Sequence, residues 1–431
     1  MTSDHSTFAE PSSVARPVAA VRPLRVLLIV ESSGGGTGRH VCDLADGLLA
    51  RGCEVHMIYS PARSDRMFMQ RLGELPNLRA LAMPMSTGIH PSDLQAVRVA
   101  RRYIRQHGPF DVVHGHSSKG GALARLAGVW TGAKVVYTLH GLIMMDPGLA
   151  WWKRRFYQAI ERVLSWGTSL IVAVSPEEAR AAISIGLGQS RVITVPNGIG
   201  PMKLTDRTVA RQTLGVSPDA VVIGFVGRLV EQKAPDVLLK AFAATVAKVP
   251  QARLAMVGAG PLDTQLRNLA ASLNVTAKVI WLGERDAREV LAAFDIFALS
   301  SRKEGLPYVI IEAMAAGHPI IATRSAGVEI LIEPGQNGTV VEPGDVDGFA
   351  AALTALAADP IALARCGRES RRLASGFTID AMVNQTFGAY QDIVGNAPRS
   401  ALPSPVAQAS TPTSSSAPEL KIDVPRRKQL V

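Results

Sequence analysis

The chain has 431 residues, 47% hydrophobic and 19% charged, which exceeds one ordinary core and excludes a disordered chain; two domains of a soluble globular enzyme are expected. Three cysteines (Cys42, Cys53 and Cys366), odd in number and without metal-ligand spacing, argue for a reducing cytoplasm and against structural zinc. The formal net charge of +10 suggests an anionic partner: nucleic acid, a phosphorylated ligand or a membrane surface.

Residues 1–22 lack the apolar segment of a signal peptide and read as a disordered tail. No later run approaches the ~18–20 apolar residues of a membrane span. From residue 23, short β-branched runs alternate with helical patterns. The first half gives strand candidates at 24–31, 54–60, 111–117, 134–140, 170–175 and 191–198. The second half gives them at 221–228, 252–260, 278–283, 295–301, 319–323 and 338–343. Near-continuous apolar strands separated by helices predict parallel sheets covered on both faces. The pattern runs twice, so two doubly wound α/β domains are expected, 23–199 and 200–377, with a site between the carboxyl ends of their strands. A helix at 378–396 could pack back across the cleft. Residues 397–431, rich in Pro, Ser, Ala and Thr, read as a second disordered tail.

Three stretches offer chemistry. "ESSGGGTGRH" (31–40) follows a strand and opens a helix, where glycines and free N–H groups admit an anion. As a dinucleotide fingerprint it fails, because Arg39 stands where the third glycine belongs. In "GRLVEQKAPDVL" (227–238), Arg228 ends a strand and Lys233 precedes a helix start at Pro235. Two fixed cations above one strand suit a pyrophosphate that gains negative charge as it leaves; two solvated loop charges would look the same. In "EGLPYVIIE" (304–312), Glu304 lies in a loop and Glu312 more than one turn into a helix. The turn Gly305-Leu306-Pro307 offers N–H groups to a phosphate, and the two acids suit a sugar ring and a ribose. The plainer reading is a dipole-favouring acid and a helix-surface acid.

Taken in order, "GG-TGRHV" (35–41), "YTLHG" (137–141), "VSP" (174–176), "VPNG" (195–198), "GRLVEQK" (227–233), "GAGP" (258–261) and "GLPYVIIEAMAAGHPIIAT" (305–323) resemble the retaining family-4 glycosyltransferases. The resemblance covers about 24–395 and implies the GT-B fold: two Rossmann-like domains, an N-terminal acceptor domain and a C-terminal nucleotide-sugar domain, facing a central cleft. It implies that Arg228 and Lys233 hold the donor diphosphate, that Glu304 contacts the transferred sugar and Glu312 the ribose. Gly35 and Gly36 would approach the phosphates, and His140 would line the acceptor side. Gly227, Gly260, Gly305, Leu306 and Pro307, in the same motifs, would border the donor. There are departures: Ala234 follows Lys233 where the family usually has glycine, Gly38 replaces a common acid, and Cys53 replaces a frequent histidine.

His114 and His116 share one strand face, but without an evident third ligand they make a weak metal pair. Asp345-Val346-Asp347 resembles a metal-binding D-x-D; an aspartate N-cap explains it better. Metal-independent chemistry without a cofactor is therefore expected. In "SDLQAVRVARRYIRQHG" (92–108), Arg98, Arg101, Arg102 and Arg105 fall within an arc of ~100°. "WWKRRFYQAIERVLSW" (151–166) joins Trp151 and Trp152 to Lys153, Arg154 and Arg155. Both stretches suit an anionic lipid surface, against solvated helix faces and a core-packed aromatic pair; no nucleic-acid recognition module appears.

The sequence thus leads to a retaining, metal-independent hexosyltransferase, cytoplasmic and peripheral on the inner membrane face. It would use a UDP-sugar, or a GDP-sugar, and a lipid-linked or saccharide acceptor, in bacterial surface polysaccharide assembly. The competing readings are a sugar-nucleotide epimerase, a sucrose- or trehalose-type synthase, or a non-catalytic nucleotide-sugar-binding subunit.

Overall fold

Strand residues in both halves are apolar on both faces, and both halves bury them. The computed structural model describes residues 22–146 and 148–395. The first sheet contains β1 (Arg25–Val30), β2 (Glu54–Tyr59), β3 (Arg79–Ala82), β4 (Val112–His116), β5 (Lys134–Thr138), β6 (Leu170–Ala173) and β7 (Val192–Thr194), in the order β3-β2-β1-β4-β5-β6-β7. The second contains β8 (Val221–Val226), β9 (Ala252–Val257), β10 (Val279–Gly283), β11 (Ile296–Leu299), β12 (Ile320–Thr323) and β13 (Gly338–Val341), in the order β10-β9-β8-β11-β12-β13. Every pairing is parallel. This is the two-domain GT-B architecture that the alternating pattern and the resemblance led to expect.

One strand escaped the sequence reading. β3 is an edge strand of exposed or half-buried residues, so it carries no continuous apolar run to betray it. The observed strands are also shorter than the runs that announced them. In ten of the twelve the last residues of the run leave the sheet and enter the loops at its carboxyl edge; β10 and β12 keep theirs.

Strand order reverses between β1 and β4 and between β8 and β11. Loops leaving neighbouring strands diverge there and open a crevice. The chain passes between the domains twice, side by side: Ile199 pairs with Thr378. The helix Ile379–Val394, capped by the Thr378 hydroxyl, then returns Met382, Val383, Ala389 and Tyr390 to the core of the first sheet. The tails expected at 1–22 and 397–431 lie outside the described residues, Arg22 excepted.

Candidate active site

The C-terminal wall of the cleft grows from the ends of β8 and β11. A short turn, Glu231–Lys233, leads into the helix Pro235–Val246, whose proline occupies the first turn. Ala234 between them takes φ +43°, the left-handed conformation that glycine adopts without cost. The departure from glycine therefore leaves the turn left-handed and adds strain. The Ser300 hydroxyl, just past β11, braces that turn by donating to the Ala234 carbonyl at 2.8 Å. Across it, Lys233 Nζ lies 2.6 Å from Glu304 Oε1, and their side chains are only 17% and 9% exposed. Removing one partner from so enclosed a pair strands the other charge away from water.

The N-terminal wall is histidine. His116 closes β4, His140 follows β5, and His40 sits on the helix Gly35–Ala50. His116 Nδ1 and His140 Nε2 are 3.1 Å apart. Burial pulls the pKa of His116 and His140 well below the usual imidazole value and that of His40 down to about 4. All three are therefore neutral near pH 7. Asn197 fixes the tautomer of His40: its amide donates to the Leu306 carbonyl at 2.9 Å, so its oxygen accepts from His40 Nδ1–H at 3.0 Å. One short chain of bonds thus ties this wall to the opposite loop.

His140 has φ +54° and Gly141 φ +94°, so the turn after β5 is strained. The buried Glu178 carboxylate holds it, accepting from Gly141 N at 2.5 Å and Val174 N at 2.9 Å. Burial raises that carboxyl to about 7, against the lowering effect of these N–H donors. The two walls meet at Gly305. A Cβ there would stand 3.4 Å from Gly141 N and 3.5 Å from the His140 carbonyl carbon, at ordinary van der Waals contact, so the domains touch here. Beside this contact lies a cavity of 570 Å³, within the range of small-ligand sites. His140, Gly141, Asp146 and Gly148 line it from one domain; Glu231, Gln232, Arg302, Lys303, Glu304 and Gly305 line it from the other.

Most of the expected residues converge here. Lys233 lays its stem over Gly227, Leu306 and Pro307 lead from Gly305 into the helix Tyr308–Ala316, and Gly260 presses on the Leu229 carbonyl beside Gly227. Arg228 does not join the Lys233–Glu304 pair: it is exposed at the end of β8 and has no ion pair among the described residues. Gly35 N donates to Asp65 Oδ2 at 2.6 Å, so a carboxylate holds the amide expected to face a phosphate. Glu312 is held by Arg39 across the cleft, Nη1 to Oε1 at 2.5 Å.

Sequence reading missed Arg39 as a site residue, and also Asn197, Glu178, Lys303 and Asp65. Glu178 had a local signal, since Ser175-x-x-Glu178 is a capping box whose Ser175 hydroxyl accepts from Glu178 N. Asp65 had one too, as the N-cap of the helix Arg66–Gly73, and Asn197 stands in the "VPNG" motif; their contacts with Gly35, His40 and Leu306 were hidden because those partners come from remote segments.

Two expectations about metals change. His114 is not a ligand partner of His116; it is consumed by Tyr390 and Thr138. The third imidazole that the pair lacked in sequence is supplied by folding: His40, His116 and His140 each place a ring nitrogen within 4.8 Å of the others, a set able to take a borderline transition ion. The 3.1 Å contact is equally an N–H···N hydrogen bond. Asp345 caps the helix Val346–Ala357 through Gly348 N, as expected of an N-cap.

The basic surface is also partly redrawn. Arg98, Arg102 and Arg105 are exposed, but Arg101 turns aside to the Leu126 carbonyl and caps a neighbouring helix end. Arg154 likewise turns inward, to the Asp146 carbonyl at 2.8 Å. Trp151 and Trp152 are exposed rather than core-packed, and Lys153 is exposed beside them. The helix Trp151–Ser165 buries Glu161 against Arg125 and faces water with Trp152, Phe156 and Val163, a stripe that Trp166 continues.

Two parallel-sheet domains enclosing a polar cleft define a GT-B protein, and comparison with known families agrees. The description "Glycosyltransferase Family 4" matches residues 34–201, and "Glycosyl transferases group 1" matches residues 206–373. A D-inositol 3-phosphate glycosyltransferase of Geodermatophilus obscurus is 30% identical over 384 residues, covering 83% of this chain and 84% of that protein. A UDP-Gal:alpha-D-GlcNAc-diphosphoundecaprenol alpha-1,3-galactosyltransferase of Escherichia coli is 28% identical over 301 residues, covering 67% of this chain and 76% of that protein. The crystal structure of Anabaena Alr3699/HepE in complex with UDP and glucose superposes with a TM-score of 0.73 at 22% identity, covering 86% of this chain and 100% of that one. The chain belongs to the family-4 glycosyltransferases.

Proposed function

We propose that this glycosyltransferase moves a hexose, with retention, from a nucleoside diphosphate sugar to a hydroxyl of a lipid-linked acceptor. The observation that carries the reading is the enclosed Lys233–Glu304 pair, whose Glu304 lines the cleft cavity opposite His140. A diphosphate entering there would draw Lys233 Nζ onto its oxygens, and the sugar hydroxyls would take the Glu304 carboxylate in its place. The sugar C1–O bond then breaks while the acceptor oxygen bonds C1 on the same face. The acceptor proton passes to an oxygen of the departing diphosphate, whose charge Lys233 and Arg228 stabilise. Glu304 positions the sugar and Glu312 the ribose. These cations stand where other transferases use Mg²⁺, so no metal is needed at the diphosphate. UDP is the favoured nucleotide, since a structural neighbour was solved with UDP and glucose. GDP is the alternative.

The acceptor side fits a membrane-borne substrate. The exposed arginines 98, 102 and 105 and the outward stripe of Trp152, Phe156, Val163 and Trp166 combine positive charge with interfacial aromatics. Among the described residues no single helix is long and apolar enough to cross a membrane. The diphosphoundecaprenol acceptor in the name of one relative supports a polyprenyl-linked sugar and surface polysaccharide assembly at the inner membrane face. The experiment is to supply UDP- and GDP-sugars with membrane lipid extract and follow free nucleotide and labelled lipid. Nucleotide released only with acceptor, and an α-linked product from an α-linked donor, are expected. Tight donor binding without turnover on any acceptor would leave a binding subunit instead.

A further inference from the structure

Arg39 has no part in the scheme above, yet it makes the shortest charged contact between the domains. It stands one turn after Gly35 on the helix Gly35–Ala50, so residues 35 and 39 share a face. Its Nη1 reaches Glu312 Oε1 at 2.5 Å, its Cζ lies 4.6 Å from the centre of the Tyr308 ring, and its Nε is 3.7 Å from Asp43 Oδ2. Gly36 packs on the same tyrosine, where an added Cβ would sit 3.3 Å from Cδ2. The guanidinium therefore lies where the N-termini of two helices, Gly35–Ala50 and Tyr308–Ala316, come together. Both termini favour an anion. Neither helix has a side-chain cap from its own N-cap residue, although Asp65 already accepts from Gly35 N at the first.

Polar partners at this spot are incomplete. Arg39 faces Asp43 and Glu312, Asp43 is also held by Arg71 at 3.1 Å, and both Asp43 Oδ2 and the Tyr308 hydroxyl are buried without a hydrogen-bond partner. A ribose diol spread over both Glu312 oxygens competes with Arg39 for Oε1. When the diol takes that oxygen, the guanidinium loses its closest anion. The anion that arrives with the ribose is the diphosphate. Arginine suits this exchange, because its planar fork presents several N–H groups to two phosphate oxygens at once.

We propose that Arg39 is a donor-binding residue contributed by the N-terminal domain: it holds Glu312 in the free protein and passes to the donor diphosphate when the ribose takes Glu312. The proposal rests on the nucleotide-sugar reading of the cleft. It mirrors Lys233 and Glu304, which are paired with each other in the same way. Each wall then supplies a cation that is stored on the acid the donor will need.

The test compares UDP, by calorimetry, with uridine, by ligand-observed NMR, on the full chain and on Arg39→Ala, Arg39→Lys and Glu312→Gln; GDP and guanosine are run in parallel. Arg39→Ala is expected to weaken the diphosphate tenfold or more while the nucleoside binds as well or better, since Glu312 is released to it. Arg39→Lys is expected to recover part of the loss, and Glu312→Gln to weaken the nucleoside. Circular dichroism melting of each variant separates these effects from misfolding. Equal losses for diphosphate and nucleoside, or an unchanged diphosphate affinity, would remove Arg39 from the donor site and leave the transferase reading standing. A wild-type chain that binds neither nucleoside diphosphate would bring down both.

Discussion

The N-terminal wall of the cleft is made of uncharged imidazoles, and the C-terminal wall of paired ions. His40 and His116 are buried and His140 is half-buried, and desolvation holds all three neutral. Lys233 and Glu304 are almost as enclosed, yet they face each other as lysine and carboxylate, 2.6 Å apart. The difference shows what each wall is built to receive. Neutral ring nitrogens can exchange hydrogen bonds with hydroxyls and attract no counter-ion. A stored ion pair can be opened by a ligand that brings both an anion and hydroxyl groups, because each half of the pair finds a new partner.

The comparison breaks most visibly at Lys233. Lys233→Ala should lower turnover by ~10²-fold or more if the ammonium stabilises the leaving diphosphate. Nucleotide release in the presence of acceptor measures it, and an unaltered rate discards the role. Next in size is the outer surface of the N-terminal domain. Replacing Trp152, Phe156 and Trp166 together by alanine should cut co-sedimentation with anionic phosphatidylglycerol vesicles by about tenfold. The melting temperature should hold, since all three side chains already face water. Retained vesicle binding would return this stripe to the status of ordinary surface.

Stability against pH sharpens the contrast between walls. His40, His114, His116, His140 and His318 are all held neutral by burial, with folded pKa values below the ordinary 6.5. Their unfolded forms take protons that the folded forms refuse. Stability from these groups is complete above pH 6.5 and is lost as pH falls, at ~1.4 kcal/mol per pH unit for each proton involved. Glu178 acts in the opposite sense. Its folded pKa is raised from 4.5 to about 7, so its contribution is present at low pH and declines as pH rises between those values. With His56, six lowered histidines outnumber the three carboxyls raised by burial, Glu31, Asp43 and Glu178. Chemical denaturation at pH 7.5 and 5.5 should show a clear loss at the lower pH, and His116→Asn should reduce that slope by about one proton. A flat profile would contradict the buried neutral wall.

The smallest effect concerns the strained turn that aims Lys233. Ala234→Gly should raise stability by roughly 0.5–1 kcal/mol, because glycine adopts φ +43° without the Cβ clash. A loss of stability would mean that the turn relaxes in solution.

Much of this molecule was legible one segment at a time. The twelve apolar runs named from the sequence all became strands, since a strand buried on both faces must be apolar throughout. Only the exposed edge strand β3 was silent. Lys233, Glu304 and His140 were legible because each sits at the end of such a run or in the loop just past it, where an α/β sheet keeps its ligands. Arg228 was legible by the same logic, yet it is exposed and has no ion pair among the described residues.

Local pattern therefore determined the doubly wound domains, the caps at Pro235 and Asp345, and the loops that carry the charges. Partners across the cleft were decided only by the tertiary structure: Arg39 with Glu312, Asn197 between His40 and Leu306, and Gly305 against the His140–Gly141 turn. The physical reason is distance along the chain. Helix and strand periodicity is written by neighbours a few residues apart. The contact of Arg39 with Glu312 spans 273 residues, and it exists only because two separately folded sheets face one another.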